Sequence, residues 1–352
     1  MINRQSNNII PVIHRLVTDE YGENYWFNGS AKYVMECMGE TDYDYWFFAG
    51  ITGDVFTQHY NRLRYAGDAL TSYRMERNMG GNPTAFTECI FGKCGYAATY
   101  VSIEDLRKNP AMYLSTLIAY IGKGVPVMAN GAQTGVYVGY EDYGKVLLLI
   151  TGNSDQPERI PFDTVLKGWT NDAWKLQGDG GWIFVGEKKE SRPLAQIYRE
   201  GICEIPSRLS EKTERYCLGA EAFRQWAEDI EGGRFDGTPV EMFETWTDYT
   251  NYICVLATNG SCCHGFLQRA QELNPDMGFL SEVSHLYKRT ADMWNNDNGT
   301  DLEAIGGGFN ITLEALQDKE KRGRITAKIR EFADVTDEIA QMLEKCIAAL
   351  RP

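Results

Sequence analysis

The stretch from Lys123 to Asn153, KGVPVMANGAQTGVYVGYEDYGKVLLLITGN, constrains the fold of this chain more than any other. Val125-Pro126-Val127-Met128, Val136-Tyr137-Val138-Gly139-Tyr140 and Val146-Leu147-Leu148-Leu149-Ile150 are short apolar runs separated by Gly-rich or polar turns. That pattern predicts strand, turn, strand, turn, strand, with Glu141-Asp142-Tyr143-Gly144-Lys145 joining the last two strands. A helix from Pro110 to Gly122 precedes them and carries Met112, Leu114, Leu117, Ile118 and Ile121 into a core.

Further β-rich runs lie at Tyr43–Gly53, Gly95–Ser102 and Gly180-Gly181-Trp182-Ile183-Phe184-Val185-Gly186, the last reading as a closing strand. Asn28-Gly29-Ser30 introduces a helix with Asn28 as N-cap, an apolar stripe of Ala31, Val34, Met35 and Met38, and Gly39 at its end. Near residue 190 the pattern turns helical. Ile325, Ile329, Phe332, Ile339, Met342 and Cys346 share one helix face, and similar spacing joins Phe223, Trp226 and Ile230, and Val283, Leu286, Thr290 and Trp294. A bundle of about five helices follows. The charged run Glu187-Lys188-Lys189-Glu190-Ser191-Arg192-Pro193 marks the boundary between a domain over 1–190 and a helical domain over 191–352. The expected fold class is thus α+β: an N-terminal domain with an antiparallel sheet and packed helices, then a mainly α-helical C-terminal domain.

At 352 residues and 43% hydrophobic, the chain can bury two ordinary cores. Its 35 basic and 49 acidic residues give a net charge of −14, which repels nucleic acid and anionic membranes. No segment approaches the roughly 20 apolar residues of a membrane helix, and the N-terminus lacks a signal-peptide core, so a cytoplasmic protein is expected. The nine cysteines, at 37, 89, 94, 203, 217, 254, 262, 263 and 346, are odd in number and scattered, as reduced, mostly buried thiols would be. Asn-x-Ser/Thr triplets at Asn28, Asn259, Asn298 and Asn310 then carry no glycans. Neither a phosphate-binding glycine loop nor a paired Cys-x-x-Cys is present, and no cofactor or metal is expected; Cys262-Cys263-His264 reads as a helix start with buried thiols.

The layout from Asn24 to Gly186 resembles the papain-like fold in its peptidase C39-like form, and in particular the family of the butirosin-biosynthesis protein H acyltransferases, whose helical extension the remainder resembles. The resemblance implies a bacterial-type protein in which a Cys heads the first helix, a His leads the second strand and an acidic or amide residue follows the third. In this chain those places hold Asn28, then Gln133 or Thr134, then Asn153 or Asp155. An amide is no nucleophile, and neither Gln nor Thr is a base near neutral pH. Loss of such members costs several orders of magnitude in rate. The resemblance therefore implies a catalytically silent protein whose former active site binds a small molecule or peptide, lined by Trp26, Asn28, Ser30, Gln133, Thr134 and Asn153. Asp54 and His59 belong to the segment that lines the cleft in that family, and Gln58 lies between them.

Two rival readings stand beside it. A relocated nucleophile, Ser30 or Cys37, with His59 as base would make an acyltransferase or amide hydrolase. Against this, Ser in a first helical turn is ordinary capping chemistry, and Cys37 further along reads as a core residue. In the third reading the C-terminal helix forms a homodimer seam; its apolar face fits an intramolecular bundle equally well.

Overall fold

The computed structural model describes residues 5–11, 13–16, 26–61, 82–130, 135–153, 155–167, 169–171, 176–178, 181–212, 216–243, 249–296 and 299–350. Along the chain these form β1 (Asn8–Ile9), α1 (Trp26–Cys37), α2 (Tyr45–Thr52), β2 (His59–Asn61), α3 (Pro83–Lys93), β3 (Tyr96–Ser102), α4 (Ile103–Lys108) and α5 (Pro110–Gly122). Then come β4 (Val127–Asn130), β5 (Gly135–Glu141), β6 (Val146–Ile150), β7 (Glu158–Pro161), α6 (Phe162–Lys167), β8 (Trp169–Asn171), β9 (Leu176–Gly178) and β10 (Gly181–Lys188). The rest is α7 (Leu194–Leu209), β11 (Tyr216–Leu218), α8 (Gly219–Glu231), α9 (Thr250–Leu273), α10 (Leu280–Trp294), α11 (Leu313–Gln317) and α12 (Lys319–Ala349).

Two compact units divide the chain. Of the described residues, the first unit holds those up to 48 and 82–192, and the second holds 49–61 and 193–350. The boundary after Arg192 lies beside the charged run that the sequence marks. The expected division at 190 differs in one respect, because residues 49–61 gather with the helices that follow 193.

The first unit is built on an antiparallel sheet of order β3-β10-β4-β5-β6-β7, with β1 pairing β5 through Asn8↔Tyr140 and Ile9↔Gly139. Every residue of β5 from Gly135 to Tyr140 is buried, without the alternation of a half-wet strand, so both faces are covered. Helices α1 and α5 both lie on β4 and β5. Leu117 and Ile121 of α5 join Val127, Tyr137, Tyr140, Leu147, Leu149 and Trp182 in one core. The predicted strands stand at 127–130, 135–141 and 146–150, and the turn between the last two carries Asp142 and Tyr143 in the left-handed region.

Local chemistry sets the helix ends. Asn82 caps α3, accepting from Thr84 N at 3.0 Å and Ala85 N at 3.1 Å, with Pro83 at the position where a missing N–H costs nothing. α1 stops in a Schellman turn: Gly39 N donates to Glu36 O at 2.9 Å and Glu40 N to Met35 O at 2.9 Å, with Gly39 at φ +85°. The expected Asn28 N-cap is corrected, because α1 begins at Trp26 and Asn28 sits inside its first turn.

The Tyr43–Gly53 run, read above as β-rich, is the helix α2. Asp44 Oδ1 accepts from Phe47 N at 2.8 Å and caps it. Phe47, Phe48, Ala49 and Ile51 are all fully buried, so tertiary packing overrides the β propensity of the aromatic and β-branched residues.

In the second unit α7 to α12 surround a core that includes Phe223, Trp226, Tyr249, Tyr252, Ile325, Ile329 and Phe332, with the two-stranded ladder β2–β11 beside it. Phe223 stacks on Phe332 with centroids 5.4 Å apart. The C-terminal face is buried through Ile339, Leu343 and Ile347, not Met342 and Cys346 as the spacing suggested, and it is consumed within the chain. Cys262 and Cys263 lie in the middle of the 24-residue helix α9 and do not start one.

Candidate functional site

The head of α1 is the most chemically loaded place in the first unit. In any helix the first four backbone N–H groups lack intrahelical acceptors and sit at the positive end of the dipole. In α1 these belong to Trp26, Phe27, Asn28 and Gly29, and the turn supplies no acidic residue of its own. Asn28 and Ser30 have no solvent exposure at all. Helical side chains lean toward the N-terminus, so Ser30 stands over this first turn. Ser30 Oγ has no hydrogen-bond partner among the described residues.

Phe27 connects this turn to α3: its ring lies 5.2 Å from Phe86 and 6.4 Å from Phe91. Next to Phe86, Thr87 is completely buried and its Oγ1 likewise lacks a partner among the described residues. Two buried hydroxyls without partners therefore flank one aromatic wall. Native proteins rarely leave such groups unpaired, since each costs about 1–3 kcal/mol. Thr87 was not legible in the sequence as a site residue, because nothing in a helical Thr announces whether its hydroxyl finds a partner.

The other expected members of this site fall out differently. Gln133 and Thr134 lie outside the described residues, as does the side chain of Trp26. Asn153 is exposed, and its backbone N–H donates to Thr151 Oγ1 at 3.3 Å. Asp155 is also exposed and accepts from Arg15 N at 2.9 Å, while Leu16 N donates to Thr151 O at 3.0 Å. The chain segment 13–16 thus runs along the end of β6.

Asp54 and His59 belong to the second unit, where the segment after α2 is stitched into the helices. Thr52 Oγ1 donates to Asp54 Oδ2 at 2.9 Å. Gln58 Nε2 donates to Tyr252 O at 3.2 Å, and the His59 ring stands edge-on to Tyr252 at 5.8 Å. The Tyr60 hydroxyl donates to Asp229 Oδ2, and the Tyr287 hydroxyl donates to Phe56 O at 3.2 Å. Arg208 binds the carbonyls of Thr52 and Ile51. Gly50 is required here: a Cβ would sit 2.0 Å from Cδ2 of the buried Phe266. Each of these contacts anchors the segment, and Asp54 and His59 are buried within it at 2% and 4% exposure.

The thiols are poor reagents. Burial, helped by the Glu36 charge, pushes Cys37 up to about 11. Cys37 also ends α1, where the negative end of the dipole disfavours a thiolate, and it packs against the sheet core. Burial likewise pushes Cys254 up to about 11 and raises Cys94 and Cys263 further. His264 Nδ1 pairs with Ser284 Oγ at 2.8 Å. Among the described residues no group of three His, Cys, Asp or Glu side chains is placed to hold a metal.

One pair escaped the sequence reading. His14 Nε2 lies 3.2 Å from Glu36 Oε2, its Nδ1 lies 2.8 Å from Arg15 O, and the ring rests on Tyr33 at 4.7 Å. Against the opposing effect of burial, Lys32 and His14 hold the Glu36 carboxyl below the usual carboxylate range. Both ring nitrogens face acceptors, so this imidazole ties segment 13–16 to α1 and leaves no nitrogen free to take a substrate proton.

Compared with known proteins, the sequence matches no family model, and no curated protein is similar to it.

Proposed function

We propose that this chain is a catalytically silent, papain-like protein of the butirosin-biosynthesis protein H type, in which the head of α1 binds a small molecule or peptide in place of doing covalent chemistry. The observation that carries the reading is the pairing of Asn28, an amide at the nucleophile position, with the fully buried polar side chains around it. An antiparallel sheet with α1 lying on its central strands is consistent with that frame. A relocated nucleophile has little support. No base stands within hydrogen-bond reach of Ser30 Oγ among the described residues, and Cys37 is a deactivated thiol at the wrong end of its helix.

Incubation with iodoacetamide and with a fluorophosphonate, read by intact mass, tests the silent half of the proposal. No selective, fold-dependent adduct at Ser30 or Cys37 is expected; a stoichiometric adduct lost on denaturation overturns it. A thermal-shift panel of anionic, neutral and cationic small molecules and short peptides tests the binding half. A panel with no stabilising compound of any class defeats it.

A further inference from the structure

We infer that the α1 head is an anion-holding subsite, and that the ligand class is a small carboxylate with an apolar body. The inference rests on the binding reading above and names the chemistry of that site. Three independent features converge. The first turn of the 12-residue helix α1 presents N–H groups and brings no carboxylate of its own. Ser30 Oγ, wholly buried and lacking a partner among the described residues, leans over that turn as a hydroxyl donor. Thr87 Oγ1, in the same condition, follows Phe86 on α3, and Phe86 touches Phe27 of the same turn. Phe27, Phe86 and Phe91 supply an aromatic surface for the ligand's apolar part.

The net charge of −14 opposes an anion at long range. Exposed charges are screened beyond about 8 Å at physiological salt, whereas buried donors act at contact in a low dielectric, so the local donors decide. A neutral ligand would satisfy the hydroxyls but make no use of the helix dipole.

The test is calorimetric titration and thermal shift of the full chain with benzoate, octanoate and N-acetylphenylalanine, each against its primary amide. The last pair stands in for a peptide C-terminus. Acids are expected to bind at least tenfold tighter than amides, and Ser30→Ala and Thr87→Val each to weaken the acids about tenfold while leaving the amides unchanged. If N-acetylphenylalanine alone shows the preference, the source is a peptide end; if benzoate and octanoate show it too, it is a free acid. Equal binding of acids and amides sinks the anion subsite and leaves the binding cleft standing. A carboxylate preference untouched by both substitutions also sinks it, because the anion then sits elsewhere. Failure of every acid and amide refutes the inference, while the cleft is judged separately by the neutral and cationic arms of the broader panel.

Discussion

Replacing Thr87 by Val should make the unliganded protein more stable. The side chain is fully buried in α3 and its Oγ1 has no partner among the described residues, so the wild type carries the desolvation cost of a hydroxyl without a compensating bond. That cost is about 1–3 kcal/mol. Valine keeps the volume and the β-branch, so packing and helix propensity change little and the new methyl gains contact. Allowing for partial relaxation in the wild type, the net gain should be about 1 kcal/mol, or a rise in Tm of about 2–4 °C for units of this size. Urea denaturation followed by far-UV circular dichroism measures it, with the midpoint rising at constant slope. A loss of about 0.5 kcal/mol or more would show that the hydroxyl is paired in the folded chain and would refute the reasoning for both hydroxyls. Ser30→Ala should behave alike, with about 0.5 kcal/mol added by helix propensity. A stability gain together with the loss of carboxylate binding described above is the signature of a polar group retained for function.

Gly50→Ala should destabilise the second unit by about 1–3 kcal/mol, since the new Cβ meets the Phe266 ring at 2.0 Å; Phe266→Leu in the same chain should restore part of it in a double-mutant cycle. Glu231 is held at about 2 by the hydrogen bond from Arg330 and that from Thr326, against an ordinary 4.5. Its folded value lies below the unfolded one, so its contribution is complete above about pH 4.5 and is lost as pH falls toward 2. With Arg330 and Glu231 side chains 40% and 43% exposed, screening limits it to about 1 kcal/mol or less, and Glu231→Gln should flatten that limb of the stability profile in acid urea titrations. Cys37, raised from 9.0 to about 11, should show a thiolate fraction near neutral pH about a hundredfold below an ordinary cysteine, and its alkylation rate by mass spectrometry should fall accordingly.

How much of this was legible in the chain depends on whether the deciding physics is local. The helix over Pro110–Gly122, the strand over Val146–Ile150 and the glycine stop after α1 rest on spacing, proline and glycine, which act within a few residues. The run YWFFAGIT does not: its composition favours a strand, and only burial of Phe47, Phe48 and Ile51 together with the Asp44 cap makes it a helix. Residues 49–61 sit in the sequence amid β-rich runs, yet Arg208, Tyr252, Phe266 and Tyr287, up to some 230 positions away, bind them into the helical unit. No window of local sequence contains those partners.

The candidate site divides in the same way. The sequence alone determined that position 28 is an amide and that the α1 head carries no acid, because these are identities, and identity suffices to remove a nucleophile. It also offered Asp54 and His59 as cleft residues, because a polar side chain in sequence looks the same whether it faces a ligand or anchors a loop. Only the tertiary structure decided that Ser30 and Thr87 are buried hydroxyls with no partner among the described residues, beside one aromatic wall. Whether a donor finds an acceptor depends on what distant elements bring within about 3 Å, and that distance is set by packing.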